Sequence, residues 1–339
     1  MGIGIALLAL LGIGLVVSVF DDDDDSASTP SEPEGVVRNG AEGDDLIEGT
    51  AGTDLLSGGE GDDTLEGGAS SDTLQGGAGD DLLEGNNGAD RLLGEADDDV
   101  IVAGGGEDTA SGGSGNDFVQ GRGGNDTLNG SLGTDWVEGN DGDDSVNGGF
   151  GTDTLLGGDG ADTLNGGVNN DLLIGGTVPG TPLSADDLEA LRDGDESLAS
   201  ILNVANGAFI ALPDDDAADV LNGGDGDDSL VLGAGDTGTG GTGEDTFALL
   251  AETATSENGP STITDFNGTE DGLIVLLEQN EEEEEEDPVT IDVTNEDGNA
   301  IISVNGQPIS ILVGAAGQIE SGDISTDNGI IVGFLDPTG

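Results

Sequence analysis

Cysteine, histidine, tyrosine and lysine are all missing from this chain of 339 residues, and the basic side chains are four arginines. Without thiolate or imidazole there is no zinc site of the usual kind and no Cys-His or Ser-His-Asp nucleophile. Without lysine there is no Schiff base and no P-loop. No disulfide can staple the fold, so the redox compartment stays open. Aromatics are 2% of the residues and all apolar residues 33%. That is too little for an ordinary core in a chain of this length. Against 74 acidic residues the four cations leave a net charge of −70. Nucleic acid and anionic headgroups bind through clustered Lys and Arg, so this charge repels both. Cations are the expected partners.

Glycine and acid are abundant, and one pattern accounts for both. From Gly40 to Ile174 the sequence divides into fifteen nine-residue units with no insertion, such as GGEGDDTLE (58–66), GGAGDDLLE (76–84) and GGSGNDFVQ (112–120). Position six is always aspartate: Asp45, Asp54, Asp63, Asp72, Asp81, Asp90, Asp99, Asp108, Asp117, Asp126, Asp135, Asp144, Asp153, Asp162 and Asp171. Position one is Gly except at Ala103, position four is Gly except at Ser70, Asp97 and Asn169, and position eight is Leu, Ile or Val except at Ala110. The spacing predicts a six-residue turn and a three-residue strand whose middle aliphatic alone faces inward, because side chains alternate along a strand. Glycine at positions one and four permits φ > 0, so the turn can aim its carbonyl oxygens at one point. The aspartate adds a carboxylate there. A hard cation taking about six to eight oxygens suits such a turn, and calcium suits it better than magnesium. The competing reading is that aspartate merely favours turns, but turn preference alone would scatter Asn and Ser over position six.

These units resemble the nonapeptide G-G-x-G-x-D-x-U-x of the RTX (hemolysin-type calcium-binding) family, a repeat with its own established signature. The resemblance implies an all-β fold, a parallel β-roll (β-solenoid) in which two units make one coil. It also implies Ca2+ between each turn and the turn two units on, with the position-six aspartates and turn carbonyls as ligands. Two edges of eight and seven turns then leave up to thirteen sites. Thirteen divalent ions carry a charge comparable with the −29 left by 31 acidic residues and two arginines between 40 and 174. Without cations, stacked carboxylates repel and one aliphatic per strand cannot offset about 1–2 kcal/mol of backbone entropy per residue. Binding is therefore expected to drive folding.

Around this 40–176 roll the chain reads as further segments. Residues 2–20 carry no charge. As a helix they would span roughly 28 Å, the thickness of a bilayer core. An uncleaved membrane anchor is preferred to a signal peptide because Lys and Arg are absent from the start and Ser18-Val19-Phe20 is a poor cleavage site. RTX proteins exported by type I machinery carry a C-terminal signal instead, and this segment departs from that pattern. Residues 21–39 read as an acidic stalk. Residues 177–222 read as an insert with a short helix capped at Ser184. The repeat returns over 223–250 with Asp228, Asp236 and Asp245 at position six. Residues 251–339 read as a C-terminal antiparallel β-domain, with an acidic loop at 281–287 and an Asn305-Gly306 turn, capping the roll.

Weaker motifs are set aside. Gly238 to Gly243 satisfies GxGxxG, but its acidic surroundings would repel a pyrophosphate. Asp141, Asp143 and Ser145 mimic an EF-hand start, yet Val146 stands where that loop needs Gly. Paired carboxylates for glycoside hydrolysis need a shaped, partly apolar cleft. The expectation is a calcium-binding, non-enzymatic protein, secreted or displayed outside the cell. One alternative is a calcium-rigidified adhesin or matrix protein, whose unknown partner would meet outward threonines Thr64, Thr73, Thr109, Thr127, Thr154 and Thr163. Another is the non-catalytic repeat part of a secreted hydrolase or toxin system. Trp136 and Phe118, at outward position seven, read as ordinary strand side chains.

Overall fold

The computed structural model describes residues 34–176, 217–251, 258–277 and 290–319. The anchor, the insert helix and the acidic loop expected from the sequence lie outside them. The described residues are all-β, and no helix long and apolar enough to cross a membrane occurs among them. They form two sheets, of fourteen and eleven strands, filled alternately by successive units. Strands pair in parallel with a shift of two units, as in Phe118↔Trp136 and Thr127↔Ser145. Two units therefore make one coil.

The strands are longer than the expected three residues. Thr109–Ser114 and Thr127–Leu132 each run six residues, from position seven of one unit to position three of the next, with position eight and the following glycine buried. The glycines read as turn belong to the ladder, because stacking on identical coils supplies their hydrogen-bond partners whatever their intrinsic preference. Inward aliphatics stack along the axis, with Leu56, Leu65, Leu74, Leu83, Leu155 and Leu164 wholly buried. Left-handed backbone also falls differently from expectation. It occurs at positions two and four, for example Gly113 (φ 129°) and Gly115 (φ 148°), while position one is not left-handed. At position two even Arg122 takes φ 76°, an uncommon conformation for a side chain of that size.

Across the insert the roll does not break. The strand Thr163–Val168 pairs directly with Val220–Asp225, and Leu172–Ile174 with Ser229–Leu232. The second repeat segment thus starts before Gly223, where the sequence reading placed it. An amide ladder spans the same junction: Asn222 Nδ2 donates to Asn165 Oδ1 at 2.8 Å, and Asn165 Nδ2 to Asn147 Oδ1 at 2.7 Å.

At the C-terminal end, Ile291–Glu296, Asn299–Val304 and Gln307–Leu312 form the expected antiparallel meander. They extend the fourteen-stranded sheet, since Gln307–Leu312 pairs in parallel with Ser261–Ile263. Asn305 and Gly306, both at φ > 0, make the hairpin turn between two of the strands. The six outward threonines are divided between the faces. Thr73, Thr109, Thr127 and Thr163 lie on the fourteen-stranded sheet, Thr64 and Thr154 on the other. Phe118 is buried on the eleven-stranded sheet beside Trp136, whose indole N–H donates to Glu138 Oε1 at 2.6 Å.

Candidate metal centres

Parallel coiling with an eighteen-residue period brings every second position-six aspartate onto the same edge. Two ladders result. In one, the backbone N–H of Asp99 donates to Asp117 Oδ1 and that of Asp117 to Asp135 Oδ1, both at 2.9 Å. In the other, Asp108 N–H donates to Asp126 Oδ1 at 2.8 Å and Asp126 N–H to Asp144 Oδ1 at 2.6 Å. Beyond the first of each ladder, each carboxylate thus reaches toward the preceding coil and spends Oδ1 on its aspartate N–H. All the expected site aspartates fall on these ladders, and all but Asp45 are buried.

The second oxygen decides the chemistry. Oδ2 is buried with no hydrogen-bond partner in Asp63, Asp72, Asp81, Asp90, Asp99, Asp108, Asp117, Asp126, Asp135, Asp144, Asp153, Asp171 and Asp228. Burying a carboxylate without a compensating donor or cation is costly. That cost shows in proton affinity: burial, reinforced by neighbouring aspartates, pushes Asp99 up to about 9 and Asp117 up to about 7, against the lowering by one backbone N–H each.

A second acceptor meets the first at several coils. A Cβ built on Gly58 would land on Asp63 Oδ2 and the Gly76 carbonyl oxygen, and one on Gly139 would land on Asp144 Oδ2 and the Gly157 carbonyl oxygen. Space therefore favours glycine at position one: it leaves a cradle of converging oxygens that a methyl group would narrow. Among the described residues no three acidic side chains gather closely enough to hold an ion alone. Backbone carbonyls must complete any site, and an all-oxygen donor set with one carboxylate per turn fits calcium.

The pattern of the RTX calcium-binding nonapeptide repeat matches residues 39–74, 66–101, 75–110, 102–137, 120–155, 147–177 and 214–238. The chain belongs to the RTX nonapeptide-repeat family. No curated protein matches it over its sequence. RTX repeats of this kind are calcium-binding.

Two aspartates on the RTX ladders escaped the sequence reading. Asp219 stands between Asp162 and Asp236: Asp162 N–H donates to Asp219 Oδ1 at 2.8 Å and Asp219 N–H to Asp236 Oδ1 at 3.0 Å. Its unit, DDDAADVLN (214–222), keeps Asp and Leu at positions six and eight but has no glycine, and Asp with a leucine two residues on was the signal available. Asp271 follows Asp245, accepting its N–H at 3.2 Å, and is offset by 26 residues rather than 18. Ser70, Asp97 and Asn169, the departures at position four, all adopt left-handed backbone (φ 75°, 77° and 83°) and so preserve the turn. The GxGxxG match lies largely within the strand Thr237–Thr242, where Gly238 packs on Leu232, not at the start of a helix.

Proposed function

We propose that this RTX protein is a non-enzymatic, calcium-binding β-roll that folds when calcium is supplied, and that it works outside the cell, where calcium is abundant. The row of buried Oδ2 atoms without partners carries this reading. Interior position-six aspartates hold the ions, with position-one carbonyls of the next coil as further donors. Bound calcium would supply the positive charge that the chain's own side chains lack. The chain's part is to fix those oxygens: the N–H of the aspartate one coil below orients each carboxylate, and the position-one glycine leaves room. The acidic groups stack in a continuous row rather than facing each other across a cleft, which supports a binding role over catalysis. In this reading the uncharged residues 2–20 serve export or tethering.

Far-UV circular dichroism of the full chain during calcium titration at pH 7.5 tests the proposal. A change from coil to β signal is expected, and a spectrum unaffected by calcium sinks it. The single tryptophan, Trp136, reports the same transition by fluorescence.

A second reading, a calcium-rigidified adhesin or matrix protein, draws on the fourteen-stranded sheet. Its outer face carries the row Thr109, Thr127, Ser145 and Thr163 beside the hydrogen-bonded amides Asn129, Asn147, Asn165 and Asn222. Binding to cells or glycans with calcium, lost in EDTA, is the expected result. Equal binding in both conditions removes this reading.

A further inference from the structure

The two ladders differ at their ends from their interiors, in a way the repeat does not announce. Among the described residues one ladder begins at Asp45 and ends at Asp271, and the other begins at Asp54 and ends at Asp236. In all four, Oδ2 accepts a backbone N–H from the residue's own turn. The donors are Ala41 to Asp45 at 2.8 Å, Thr50 to Asp54 at 2.5 Å, Gly233 to Asp236 at 2.6 Å and Asn267 to Asp271 at 2.7 Å. The Thr50 hydroxyl adds a contact to Asp54 at 3.1 Å.

The backbone explains the contrast. From Gly59 to Gly167 every residue at position two is left-handed, whereas Ala41 and Thr50 at that position are not; at the other two ends the donors Gly233 and Asn267, three and four residues before their aspartates, are not left-handed either. Reversing φ at position two turns the preceding peptide plane over. At Asp45 and Asp54 that N–H points at the carboxylate; in interior turns such as those of Asp63, Asp99 and Asp117 it does not, and Oδ2 is left buried without a donor. An N–H aimed into the turn presents positive charge where a cation would sit, and the two exclude one another.

We propose that Asp45, Asp54, Asp236 and Asp271 are closure residues that end each ladder with a backbone N–H in place of an ion, so that calcium occupies interior turns alone. This rests on the reading of the interior turns as calcium sites. It removes Asp45, Asp54 and Asp236 from the ligand set expected from the sequence. It also gives the roll ends whose carboxylates are satisfied before any metal binds, which a stack of identical coils otherwise lacks.

Native mass spectrometry of the full chain in calcium, counting ions per molecule, tests the assignment in Asp54→Asn, Asp45→Asn and Asp117→Asn. The interior variant Asp117→Asn is expected to lose about one or two ions, since each ion bridges adjacent turns. At least one terminal variant is expected to keep the wild-type count; using two guards against one of them failing to fold. Loss of ions from both terminal variants, or equal counts in all three, overturns the inference. The calcium reading itself falls only if the wild-type chain binds no ions.

Discussion

Calcium-free chain held in EDTA at about pH 4 is expected to show the β-sheet spectrum and compact radius that it lacks in EDTA at pH 8.5. Burial raises interior aspartates on both ladders above the ordinary carboxylate range. Asp72, Asp90, Asp126 and Asp144 rise to about 6, Asp81, Asp135 and Asp171 to about 7, and Asp99 to about 9. In the unfolded chain the same groups titrate near about 3.9. The folded state therefore binds protons more tightly than the unfolded state. Their contribution to stability is fully present below about pH 4 and is lost as the pH rises through about 6 to 9. Protonation also removes most of the repulsion behind the net charge of −70. With calcium the slope reverses, because ion and proton compete for Oδ2 and affinity falls as the pH drops below about 7. A calcium-free chain more ordered at pH 8.5 than at pH 4, or equally disordered at both, would contradict this account.

The nine-residue phase made the coil, the two aspartate ladders and the inward aliphatics legible, because each follows from one residue type recurring at one position. Strand length was not legible. Position-one and position-two glycines have low strand preference, and only the stacked coils above and below make them ladder residues. Left-handed backbone at position two was hidden for a related reason: Arg122, Glu95 and Ser131 occupy it against their own preference, held there by neighbouring coils. Asp219 and Asp271 were missed because a masking change of local pattern accompanies each. One sits in a unit without glycine, the other beyond a longer connection. The closure role of Asp45 and Asp54 lay further out of reach. In sequence their units match the interior ones at position six, and the difference is the direction of one peptide N–H.

Gly112→Ala is expected to remove about one calcium ion and to lower the thermal midpoint in saturating calcium. The cost is about 1–3 kcal/mol, the usual range for forcing a methyl group into filled space. In a folded unit of this size that corresponds to several degrees. A Cβ on Gly112 would land on the Asp117 carboxylate, and Asp117 is 2% exposed with little room to withdraw. The chain contains its own comparison at Ala103, the single position-one residue with a side chain among the fifteen units. Ala103 is wholly buried, and the same unit carries Ala110 where the others place a larger aliphatic. Its turn therefore has a narrowed cradle and a thinner interior together. Ala103→Gly should move in the opposite direction, tightening calcium binding at the turn of Asp108 and raising the midpoint. Calorimetric titration paired with differential scanning calorimetry reads both quantities. If Gly112→Ala left ion count and midpoint unchanged, glycine at position one would be a matter of backbone freedom and not of space for the ion. That alternative is already weak, because position one is not left-handed in this fold.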